Sequence, residues 1–522
     1  MISCQVLEQR GKWRALGVIL VLSAAVLPTL PLLWSGLASI EFTSAGLAGQ
    51  AFGSSLANSA LVASLVTVLA LAAGWPLGVL AALYQVPGKK ALLAVAALPL
   101  LVPTFLWAIG WSALAARWGW PASQLASGLS GSVVVFSSWA IPIVLLTAFT
   151  STNRLSASQV EAARLASGER GVLKQSLRHG FRSALLAAAL AGVLTLSDPA
   201  PGLIFGLRSA AAEILTSFSA LYDFGLAGRQ CLLLAGLVLL LAGPLAYFAA
   251  PQLASQVMPR EVRALLPVKH GSSALALALG LGILILLGVV APLSGIVLPG
   301  LEGRGVFEFE RAFSEIRRTV DDTFLYALGS GITAALIGFV LAFFVGRETR
   351  LRTLCLGVCI MLFSLPPALA ALGVIQVAGA APAWADPLLR SRLTVCLVLG
   401  LRFLPVAALL GLQAWAATSP SWVWAAASHG VPLTRYSWKV LFPFLLPAVG
   451  LAVVLVALLA TAEVGTVLLL HAPGQDSLPL AILTVMANAP QSLVSSLCLL
   501  YVVSAGLVLI VISILAGRVM RR

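Results

Sequence analysis

Residues 160–168 read VEAARLASG, and residues 423–430 read VWAAASHG. Each is a short run of helix-forming residues, rich in alanine, closed by glycine. Each lies between long apolar stretches of a chain that is 60% hydrophobic and only 10% charged. In the first copy Glu161 sits near the start of the run, where a carboxylate favours the helix dipole. The small face of Ala162 and Ala163 suits close approach to a groove on a partner. A solvated loop helix is the plain alternative for one such segment standing alone, and recurrence at equivalent places weakens it.

The surroundings of both stretches are membrane-like. Mean hydropathy is +1.03, and soluble domains carry about 25% charged residues, far above this chain. Many apolar runs reach the ~20 residues a helix needs to cross a bilayer. They are long and rich in Leu, Ala and Val, without the alternation of barrel strands. Twelve spans are expected, near 14–37, 57–86, 90–116, 131–150, 183–204, 230–250, 272–299, 322–346, 353–379, 392–416, 445–470 and 495–517. The first is expected to be an uncleaved helix rather than a signal peptide.

With both termini on the cytoplasmic side, 22 of the 32 Lys and Arg residues fall in inside segments, nine outside, and Arg402 within a span. That bias follows the positive-inside rule. It accounts for the net charge of +14 through lipid headgroups, with no nucleic-acid partner. Of the six cysteines, five fall in or beside apolar spans and read as small core residues. The four histidines stand far apart along the chain, and neither a catalytic constellation nor a metal or cofactor site is expected.

The chain also repeats. Pro103 and Pro366, Pro142 and Pro405, and Glu161 and Trp424 are each 263 positions apart. Further on, Cys231 and Cys498 are offset by 267 in similar contexts. Two homologous halves are expected, 1–265 and 266–522, each with six spans inserted the same way round and a pathway between them.

These loops resemble those of binding-protein-dependent ABC importer permeases. The loop of that family reads Glu-Ala-Ala, three residues, Gly, nine residues, an aliphatic residue, one residue, Leu-Pro. In the first copy, within 151–182, Glu161, Ala162 and Ala163 match. Ser167 takes the glycine place with Gly168 one step late, and His179-Gly180 stands for Leu-Pro. In the second, within 417–444, Trp424 replaces Glu, Ala425, Ala426 and Gly430 match, and Phe442-Pro443 stands for Leu-Pro. GLRFLP at 400–405 and TAEVGTVLLLHAPGQDSLPLAI at 461–482 are similar to fused iron(III)-type permeases.

The resemblance implies an all-α type I importer permease fold of two six-helix halves in the inner membrane. The two loops would be coupling helices docked on two separate ATPase subunits. A binding protein outside the cell would deliver ferric iron or another small solute. The chain has no G-x-x-x-x-G-K-[ST] phosphate loop of its own. The alternatives are a 6+6 secondary transporter and a permease-like scaffold or sensor whose loops have lost coupling.

Charge inside spans is costly and marks function. Arg402 and Glu463 form a mutual ion pair in the simplest reading; direct solute contact and a position at the interface are the alternatives. Trp139 is the repeat equivalent of Arg402. Asp198, within two residues of matching Glu463, is read as the cap of a short outer helix, with a solute-facing role as the alternative. Two outer segments, Gly305–Asp322 and Ser209–Leu226, are expected to lie along the membrane surface.

Overall fold

The computed structural model describes residues 11–38, 51–257, 271–302, 305–472, 474–486 and 488–520. The boundary expected near 265 lies outside them. Helices make up nearly all of the described chain, and none of it is assigned as a strand. Among the described residues, eight helices are long and apolar enough to cross a membrane. Three bent pairs raise the number to eleven. The chain is thus a polytopic all-helical membrane protein.

The three bent pairs sit where the sequence led to single straight spans. Lys89–Leu100 and Thr104–Arg117 meet at 96°, Thr349–Ser364 and Pro367–Ala380 at 80°, and Arg392–Arg402 and Leu404–Ala416 at 57°. Pro103 and Pro366 open the second member of the first two pairs. A proline supplies no N–H and disfavours helix before it, so the helix stops there. Pro142 sits inside the unbroken helix Gly128–Thr152, yet its counterpart Pro405 lies just past the 57° break. The span expected over 183–204 is also cut. Its helix, Ala157–Thr195, ends before Asp198, and a short helix follows over Ala200–Phe205.

Both expected surface helices need correction. Gly305–Asp322 continues without a break into the next span as one 41-residue helix, Gly305–Val345. Its buried stripe is Ala312, Thr319, Asp322 and Tyr326, while Phe313 and Val320 face outward. Glu308–Arg311 and Glu315–Arg318 pairs one turn apart support the charged section. The second segment is a helix only over Ala210–Ser219, and it buries Ala210, Ile214 and Leu215. It packs on the long helix Phe224–Val257, so the apolar face taken for a lipid contact belongs to the core.

The two parts of the chain meet through glycine. A Cβ on Gly110 would overlap the Pro292 carbonyl oxygen, and one on Gly373 would overlap that of Pro28. Gly110 and Gly373 are 263 positions apart, and Pro28 and Pro292 are 264 apart. Each contact brings a bent pair from one part against the first span of the other, at a distance only glycine allows. The described cysteines, Cys231, Cys355, Cys359, Cys396 and Cys498, are free and buried.

Candidate functional site

The two opening stretches become two short exposed helices on one face. Ser156 caps the first; its hydroxyl accepts from the Gln159 N–H at 3.3 Å, and the Gln159 side chain accepts from the Ser156 N–H in return. The helix runs to the break at Ser167 and Gly168, where Gly168 holds φ 61° and ψ −156°. That backbone region is essentially reserved for glycine. The chain then continues as a long helix to Thr195. Glu161, Ala162 and Leu165 point outward, Leu165 being 90% exposed. Arg164 spans the break to Glu169 at 2.8 Å.

The second short helix is Pro420–Ser428. Gly430 ends it with φ 64°, and the Val431 N–H closes back on the Ala426 carbonyl at 2.9 Å, a left-handed helix stop. Trp424 and Ala425 are exposed while Ala426 is buried. Pro443 lies in the first turn of the long helix Phe442–Thr461. The left-handed glycines are therefore Gly168 and Gly430, so it is Gly168 rather than Ser167 that takes the glycine's structural role. Arg347, at the end of the Gly305–Val345 helix, donates to the Thr418 carbonyl beside this helix.

Where the chain breaks at Pro103, Asp198, Pro367, Arg402 and Glu463 converge lies a cavity of about 180 Å³. Trp139, Asp198, Arg402 and Glu463 all line it, with Thr104, Pro367 and aromatic walls from Phe136, Phe363 and Phe403. Arg402 pairs with Glu463 at 2.9 Å, and the two side chains are only 16% and 13% exposed. Arg402 Nη1 also donates to the Leu365 carbonyl at 2.9 Å. That carbonyl closes the helix Thr349–Ser364, where intrahelical donors have run out. Glu463 also accepts from the Thr466 N–H at 3.3 Å and so caps the short helix Val464–Leu470. One ion pair thus ties three chain breaks together.

The first part of the chain solves the same problem differently. Asp198 accepts from the Thr104 hydroxyl at 2.6 Å and from the Ala200 N–H at 2.9 Å. It caps the short helix Ala200–Phe205 and holds it to the break at Pro103. Pro367 stands 263 positions after Thr104 and has no hydroxyl to give; Arg402 stands 263 after Trp139 and supplies the missing donor. Asp reaches the N–H two residues on, and Glu, one methylene longer, reaches three. The Ser197 hydroxyl bridges the two parts by donating to the Ser364 carbonyl at 3.3 Å. Thr104, Ser197, Leu365 and Pro367 were not among the expected site residues; the only signal for them is their position next to the breaking prolines and the acidic caps.

Thr104→Val should lower the thermal midpoint in detergent by the equivalent of about 1–3 kcal/mol, since it strips a donor from a half-buried carboxylate. Thr104→Ser should preserve it. Equal midpoints for all three proteins would show that the hydroxyl bond contributes nothing.

Among the described residues, no group of three or more His, Cys, Asp and Glu side chains could hold a metal ion. His471 Nε2 lies 3.6 Å from Asp476 Oδ1, and His179 and His429 are exposed; His270 lies outside the described residues. No family model, no curated protein and no solved structure matches this chain.

Proposed function

We propose that the chain is the membrane-spanning subunit of an ABC importer, forming a solute pathway and driven by separate ATPase subunits. One observation carries this reading. In both parts of the chain, an exposed short helix ends at a left-handed glycine, leads into a long helix, and that helix breaks at a carboxylate on the central cavity. A push on either short helix is thereby transmitted along a rigid element to the cavity wall. Closure of two ATPases would move both short helices together and switch the cavity's access, which is alternating access by rigid-body motion.

The same recurrence supports two homologous halves of six spans, with both termini on the cytoplasmic side of the inner membrane. The cargo is a small solute handed over by a binding protein. Ferric iron is the first candidate by the resemblance of the loops.

The test is purification of the tagged chain in mild detergent with identification of what co-purifies. An ATPase should accompany the wild type and be lost with Glu161→Lys plus Gly430→Trp. If none accompanies the wild type, the departures at Trp424 and His179-Gly180 mark lost coupling, and a scaffold or sensor takes the place of the transporter.

A further inference from the structure

A second concavity lies on the outside of the helix bundle, where the helix Phe52–Leu83 packs on the inner part of Ala157–Thr195. It has a volume of about 490 Å³ and is open to the outside, and its lining is Trp75, Arg170, Leu173, Lys174, Leu177, Arg178 and Phe181. Arg170, Lys174 and Arg178 recur every four residues and so form one stripe along the helix. No carboxylate lines the groove. Among the described residues none of the three cations makes an ion pair or hydrogen bond, because the adjacent Glu169 is engaged by Arg164.

The floor is apolar and fixed. The Trp75 indole N–H donates to the Leu177 carbonyl at 3.2 Å, and the Trp75 ring meets Phe181 edge-on at 4.9 Å. From there the exposed surface is mainly apolar, with Arg182, four residues after Arg178, continuing the cationic stripe past Phe181. Ala72 and Val68 are exposed three and seven residues before Trp75, on its helix face, and Leu185 is exposed four residues after Phe181. The cations therefore cluster next to the break at Gly168, and an apolar strip of Phe181, Leu185, Ala72 and Val68 continues beyond them.

We propose that this groove is a binding site for one anionic glycerophospholipid, its phosphate on Arg170, Lys174 and Arg178 and an acyl chain along Phe181 and Leu185. Charge complementarity selects the head, because three unpaired cations line an open groove with no acid among them. The apolar strip selects a lipid over free phosphate. The site depends on the chain spanning a membrane, and not on what it transports.

Native mass spectrometry of the full chain tests it, with phosphatidylglycerol and phosphatidylcholine offered in equal amounts. The wild type should retain one phosphatidylglycerol after phosphatidylcholine has been stripped. Arg170→Gln with Lys174→Gln and Arg178→Gln should weaken that retention on the order of a hundredfold. Leu185→Gln, which leaves the cations in place, should weaken it less, and Arg178→Gln alone serves if the triple variant is not monodisperse. Inorganic phosphate in excess should not displace the lipid. The proposal is overturned if the variants retain phosphatidylglycerol as the wild type does, or if phosphate alone displaces it. It is equally overturned if the triple variant keeps its lipid but loses a co-purifying soluble protein.

Discussion

Arg402→Met should destabilise the protein by about 3–5 kcal/mol, because it leaves the Glu463 carboxylate buried without its counter-ion. Domains are stable by only about 5–15 kcal/mol in total, so this single change removes a large share. The loss has a second part: the Leu365 carbonyl, at the end of a helix, also loses its donor. Arg402→Met with Glu463→Gln should recover most of the ion-pair cost and none of the carbonyl cost. Arg402→Lys should fall between, since one ammonium cannot reproduce the forked geometry that reaches both acceptors. Thermal unfolding in detergent of the wild type, both single variants and the double variant forms a double-mutant cycle. A coupling energy near zero would falsify the view that the pair holds the three breaks together.

Gly110→Leu and Gly373→Leu should each abolish most of the folded yield. In both cases the new side chain meets a backbone carbonyl of the first span of the opposite part, Pro292 or Pro28. Backbone cannot rotate aside as a side chain can, so the helices must separate. Overpacking in cores costs about 1–3 kcal/mol even where side chains can adjust, and here they cannot. Gly236 makes the control, since nothing lies within 4 Å of a Cβ there; Gly236→Leu should behave as wild type. Size-exclusion profiles of the fluorescently tagged variants give the comparison. Normal profiles for both variants would mean that the crossing points can open without loss.

Helical membrane architecture was legible from composition, because apolar runs of that length have few other stable forms in lipid. The short helices were legible from alanine and glycine, although the sequence placed the first glycine role at Ser167 and the backbone places it at Gly168. Arg402, Glu463 and Asp198 were singled out because charge is rare inside spans, and Trp139 as the repeat equivalent of Arg402; one cavity brings all four together. What could not be read was their context. Hydropathy reports how apolar a window is and says nothing of a bend, so the breaks at Pro103, Pro366 and Arg402 passed for straight spans. Thr104 and Pro367 carried no signal by themselves: a threonine and a proline are ordinary in such helices, and their exchange makes sense only beside the exchange of Trp139 for Arg402. The outer segments misled for a different reason. An amphipathic pattern shows that one face is apolar, and it does not distinguish lipid from protein as what covers that face.

The unbroken helix Gly305–Val345 is about 62 Å long at 1.5 Å per residue, twice the roughly 30 Å of bilayer hydrocarbon. Its Val345 end is anchored beside the short helices through Arg347 and Thr418. The excess of about 30 Å is taken up by tilt or by projection past the hydrocarbon, and along it Ala312, Thr319 and Asp322 stay covered by neighbouring parts of the chain.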